Sequence, residues 1–129
     1  MNDPATLKGL TEAMLEAWNT QDVERVLACY TEDLVYRDPN TRGEVHGEEA
    51  MRRYLLKLLA GWHMRYVPRE VHPIDGGEGV ALLWRATFRK AGVEMEVVVD
   101  GMDLVQFRGQ RVCRNEVYFD RAALAPLRG

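Results

Sequence analysis

The sequence predicts an α+β domain: a cone-shaped, curved antiparallel β-sheet with three N-terminal helices enclosing a hydrophobic pocket. Two observations predict it. Apolar residues recur at helical spacing as far as Trp62, and from residue 63 the period becomes two across four long segments separated by glycine-bearing turns. Helices grouped ahead of a strand meander pack on one face of the sheet rather than alternate with its strands. With 129 residues, 47% of them hydrophobic, residues 1–129 read as a single domain that buries ~70% of its unfolded surface.

The first helix runs from Thr6 to Asn19. Leu7, Leu10, Met14, Leu15 and Trp18 form its apolar stripe, with Asp3 or Thr6 as the cap. Asp22 opens a shorter helix carrying Val23, Val26, Leu27 and Tyr30 at helical spacing. Leu34 to Tyr36 is a short strand, and Pro39 to Gly43 a loop. Gly47-Glu48-Glu49 begins the third helix, whose apolar face is Met51, Tyr54, Leu55, Leu58, Leu59 and Trp62. His63–Ile74, Gly79–Lys90, Glu94–Phe107 and Val112–Phe119 are the four strands of period two. Asp75-Gly76-Gly77, Ala91-Gly92 and Arg108-Gly109-Gln110 turn the chain between them.

Composition excludes several function classes. A net charge of −3 with scattered Lys and Arg gives no basic footprint for nucleic acid. No apolar run reaches the ~18 residues of a membrane span, and the polar, acidic Met1-Asn2-Asp3-Pro4 does not read as a secretory signal, so a cytoplasmic location is expected. Cys29 and Cys113 read as free thiols in a reducing compartment. His63 and His72, nine residues apart on one strand, are expected on opposite faces, and His46 precedes a helix. No metal and no cofactor are therefore expected. Val98, Leu104 and Leu83 fall on the outer sheet face and are too apolar to stay wet, which predicts a homodimer through the sheets.

Two aspartates in apolar settings carry the chemistry. Asp38 ends Tyr36-Arg37-Asp38-Pro39, and Asp103 lies in Val97–Phe107, where alternation places it inward with Val99, Gly101, Val105 and Phe107. An ionised carboxylate is costly to bury, so such a residue is paired, protonated or functional. Two carboxyls in one apolar cavity form an acid/base pair suited to proton transfer. Asp100 falls on the other face as a surface charge. Trp18, Tyr36, Tyr54, Trp62, Trp84, Phe88 and Phe119 give the cavity an aromatic lining. Met14, Leu58, Tyr30, Asn115 and Val117 complete the expected substrate-binding set, with Tyr30 and Tyr54 as hydroxyl donors.

Three segments carry a resemblance. They are Ala17–Asp22 running into Tyr30–Asp33 and Tyr36–Pro39, then Val45-His46-Gly47-Glu48-Glu49-Ala50-Met51, and Asp103–Phe107 followed by Asn115–Asp120. Together they resemble the nuclear transport factor 2-like superfamily, in its ketosteroid isomerase and SnoaL-like polyketide cyclase branches. The resemblance implies that Asp38 is the general base that carries a proton between carbons. It implies that Asp103 is the neutral carboxyl that hydrogen-bonds the developing oxyanion, with Tyr30 in support. Met14 stands where the isomerases place their principal oxyanion tyrosine, and Leu55 where they place a second tyrosine of the network, on the third helix. The limonene epoxide hydrolase branch is the other comparison. Tyr36-Arg37-Asp38 is similar to its water holder with Asp for Asn, but Trp84, Ala86 and Val117 occupy its Arg and Asp positions.

The expected function is a cofactor-independent isomerase, lyase or cyclase acting by proton abstraction on a small hydrophobic carbonyl compound. A non-catalytic small-molecule-binding or dimeric scaffold domain of the same fold is the alternative.

Overall fold

The computed structural model describes residues 2–127. Helix α1 (Pro4–Asn19) starts where Asp3 accepts a hydrogen bond from the Thr6 amide at 2.7 Å, with Pro4 in its first turn. It buries Leu7, Thr11, Met14, Leu15 and Trp18. Helix α2 (Val23–Leu27) is capped in the same way by Asp22 on the Arg25 amide. Tyr30 does not continue that helix, as the spacing suggested. It heads strand β1 (Tyr30–Arg37), which is longer than the predicted Leu34–Tyr36. A two-residue strand β2 (Val45–His46) pairs with β1, and Gly47, at φ 86°, turns the chain into helix α3 (Glu48–Gly61).

The meander follows as β3 (Trp62–Ile74), β4 (Gly79–Lys90), β5 (Glu96–Arg108) and β6 (Arg111–Tyr118). Strand order is β2-β1-β6-β5-β4-β3, all antiparallel except β1 against β6. The sheet is therefore curved but unclosed, with β3 at one edge. A 3₁₀ segment, Arg121–Leu127, follows β6 and returns Leu124 and Leu127 to the core.

An edge strand needs its outward amides and carbonyls satisfied. The end of α1 does this for β3. Asn19 donates to the Tyr66 carbonyl at 2.9 Å and accepts from the Tyr66 amide at 2.7 Å. Gln21 donates to the Trp62 carbonyl and accepts from the Met64 amide, at 2.8 and 3.0 Å. The Asn-Thr-Gln run thus fastens the helical layer to the sheet.

A bulge between Pro68 and Glu70 shifts the β3 register by one. His63 and His72 consequently share the outer face, both exposed, rather than pointing to opposite sides.

Candidate active site

Asp103 sits on β5 between Leu82 of β4 and Val117 of β6, on the inner face. It is only 5% exposed. The Trp84 indole donates to its Oδ1 at 2.7 Å and the Asn115 amide to its Oδ2 at 3.0 Å. Trp84 can reach it because Gly101, its cross-strand partner, has no side chain. A Cβ there would come within 2.5 Å of the indole ring. Asn115 in turn accepts from the Tyr30 hydroxyl at 2.8 Å, and Tyr30 accepts from the Trp18 indole at 3.0 Å. The result is one buried chain, Trp18–Tyr30–Asn115–Asp103–Trp84. Burial raises the Asp103 carboxyl to about 6, against the opposing pull of its two donors and with a further upward push from Asp38. Arg85, a conceivable partner, pairs on the outer face with Asp100 at 2.8 Å instead.

Asp38 lies just past the end of β1, half-buried. Its Oδ1 accepts from the amides of Asn40 and Thr41 at 2.7 and 3.1 Å, the hydrogen bonds of an Asx turn. Its Oδ2 accepts from the Tyr36 hydroxyl at 2.7 Å and from the Tyr54 hydroxyl. The residue is thus both the turn former that Asp-Pro suggests and an inward-facing acceptor. Each of its oxygens holds two donors, whereas each oxygen of Asp103 holds one. A carboxylate offers about four lone-pair positions, so Asp103 keeps open positions and Asp38 must release a donor to take a proton.

The two carboxyls belong to adjoining hollows that share Tyr36, Tyr66 and Val117 as a common wall. The one beside Asp38 measures about 20 Å³ and the one beside Asp103 about 10 Å³. Each has room for about one water molecule. The interior is nearly filled, where the sequence suggested a cone enclosing a hydrophobic pocket.

Of the expected lining, Leu58, Trp62, Phe88 and Phe119 border the first hollow, and Trp18 and Asn115 the second. Met14 is plain core and borders neither; Trp84, Tyr30 and Tyr54 act through their hydrogen bonds to the carboxyls or to Asn115 rather than as lining. Sequence reasoning missed Met64, Leu124 and above all Tyr66, which borders both hollows. Met64 and Tyr66 are two residues apart on β3 and share its inner face, and their residue types are those of ordinary core. Among the described residues, no three His, Cys, Asp or Glu side chains gather as a metal site, and no helix is long and apolar enough to cross a membrane.

The profile of the SnoaL-like domain matches residues 11–115. No curated protein sequence matches the chain significantly. Solved structures share the fold. SalBIII, an epoxide hydrolase/cyclase-like enzyme in pyran ring formation of the polyether salinomycin, superposes with a TM-score of 0.83 at 17% identity, covering 95% of this chain and 97% of its own. A protein provisionally designated a polyketide cyclase, from Xanthomonas campestris pv. campestris, gives 0.81 at 20% identity, covering 97% and 98%. A protein with a ketosteroid isomerase-like fold from Catenulispora acidiphila, in complex with trimethylamine, gives 0.81 at 14% identity, covering 92% and 90%. At these identities the likeness concerns the fold.

Proposed function

We propose that this chain, which belongs to the SnoaL-like domain family, is a cofactor-independent acid/base enzyme that moves a proton on a small hydrophobic carbonyl compound. One observation carries the reading: carboxyls at positions 38 and 103 face adjoining hollows across a shared wall. In this reading a ketone displaces the Tyr54 hydroxyl from Asp38 Oδ2. That oxygen then takes the proton next to the carbonyl, and the electron pair of the broken C–H bond moves onto the carbonyl oxygen. Neutral Asp103 donates a hydrogen bond to that oxygen. Return of the proton to a different carbon gives an isomerised product, and attack by the enolate on an internal electrophile gives a ring.

Deuterium uptake into 2-tetralone, a ketone with acidic α-hydrogens, tests this. We expect exchange above the buffer rate, cut ~100-fold or more by Asp38→Asn. The rate should fall as pH rises through about 6, because the donor form of Asp103 is lost there. Full exchange in Asp38→Asn, or a rate that rises through that range, defeats the assignment.

The nearly filled interior favours a second reading, a non-catalytic binding or scaffold domain. Exchange no faster than buffer across cyclic ketones from cyclopentanone to 2-tetralone would select it. In either reading a second copy of this chain is the proposed partner of the outer sheet face, where Val67, Val98, Met102 and Tyr118 are exposed. Leu83 and Leu104 are already half-covered there. Sedimentation velocity gives the stoichiometry, and a monomer at micromolar concentration rules the pairing out.

A further inference from the structure

We infer that Tyr66, on β3, is the hydroxyl that binds the substrate's carbonyl oxygen. The inference rests on the acid/base reading above and narrows it: the substrate presents one oxygen acceptor at the wall between the two hollows.

The chain has five tyrosines. Four have their hydroxyls engaged. Tyr30 donates to Asn115, Tyr36 and Tyr54 donate to Asp38, and Tyr118 donates to Glu116 on the outer face. Tyr66 is different. Among the described residues its hydroxyl has no oxygen or nitrogen partner, and its sole contact of that kind is the Met64 thioether at 3.5 Å. Thioether sulfur is a weak acceptor. The residue also borders the groove between α1 and β3, while its hydroxyl lies deep. A carbonyl entering either hollow would offer this O–H a stronger acceptor than the thioether.

The donor is also held in position. Asn19 clamps the Tyr66 backbone on both sides, and Trp84, Phe88 and Trp18 meet its ring edge-to-face at centroid distances of 5.0, 6.1 and 6.4 Å. Burial first, and then the charges of Asp103 and Asp38, push the phenol's pKa upward, so it stays a protonated donor. That both carboxyls act on it agrees with its place between them. When the proton leaves the α-carbon for Asp38, the carbonyl oxygen gains the charge, and Tyr66 and Asp103 hydrogen-bond it from two sides. Donors already aimed at developing charge are the largest contribution in many enzymes.

The test uses 2-tetralone labelled with ¹³C at the carbonyl, with wild type, Tyr66→Phe and Tyr118→Phe. A carbonyl that accepts from a phenol resonates downfield of its position in an apolar solvent. We expect that displacement in wild type and Tyr118→Phe, a smaller one in Tyr66→Phe, where Asp103 alone remains as donor, and ~10-fold weaker binding in Tyr66→Phe alone. Tyr66→Phe keeps the ring and its packing, so a merely structural role leaves the resonance of bound ketone unchanged, and that result overturns the inference. A displaced resonance that needs Tyr66, without deuterium exchange, keeps Tyr66 as a binding group and removes the catalytic reading. A ketone that fails to bind wild type at all overturns both.

Discussion

Replacing Asp103 by Asn should stabilise the protein at pH 8 and leave it nearly unchanged at pH 4. The folded state holds this carboxyl's proton more tightly than the unfolded chain does, because burial raises its pKa from 3.8 to about 6. The stability linked to that proton is complete below pH 3.8 and lost as pH rises to about 6. Its full size is about 3 kcal/mol, at about 1.4 kcal/mol per tenfold change in proton affinity. An amide carries no such loss. It still accepts from Trp84, but its nitrogen now faces the Asn115 nitrogen. Asn115 cannot turn over freely, because its oxygen is committed to Tyr30. One hydrogen bond is forfeited, about 1 kcal/mol. The variant is therefore expected to be more stable than wild type by about 2 kcal/mol at pH 8 and about equal at pH 4. Urea unfolding at both pH values measures it, given an unchanged dependence on denaturant. The same difference at both pH values would mean that folding does not raise the Asp103 pKa, and the argument for it as a neutral donor would fail.

Other substitutions probe the supports of the site. Gly101→Ala drives a methyl into the Trp84 ring and against the Tyr118 carbonyl; a loss of about 1–3 kcal/mol in urea unfolding is expected, as for overpacked cores. Tyr36→Phe removes a buried donor from the Asp38 carboxylate, for a loss of about 1.5–3 kcal/mol by the same measurement. Asn19→Ala frees both backbone groups of Tyr66. It should raise hydrogen exchange at the Tyr66 amide while amides within the β4–β5 ladder keep their protection.

Much of the fold was legible because a period of two persists through β3 to β6, and Gly-bearing turns punctuate it. Tyr30 was misplaced because a strand-initiating residue happened to follow Val23, Val26 and Leu27 at helical spacing. A two-residue strand such as β2 has too little pattern to read. The bulge at Pro68–Glu70 inverted the facing of His72, since one extra residue flips every side chain beyond it. Asp38 and Asp103 stood out because carboxyls are rare in apolar settings. What saturates Asp38 was hidden, since Tyr54 comes to it from another element. Tyr66 was hidden for a different reason. Its residue type and spacing are those of core, and its distinction lies in an acceptor that the fold withholds.

Trp18 and Trp84 terminate the buried chain that runs through Asp103. Each indole N–H is therefore committed to a line of dipoles containing one titrating proton. The near-ultraviolet absorption of Trp84 is expected to shift with the charge on the oxygen it touches, at 2.7 Å from its indole nitrogen. A difference spectrum between pH 4 and pH 8, compared with that of Asp103→Asn, would then report the protonation of the interior through the protein's own indole.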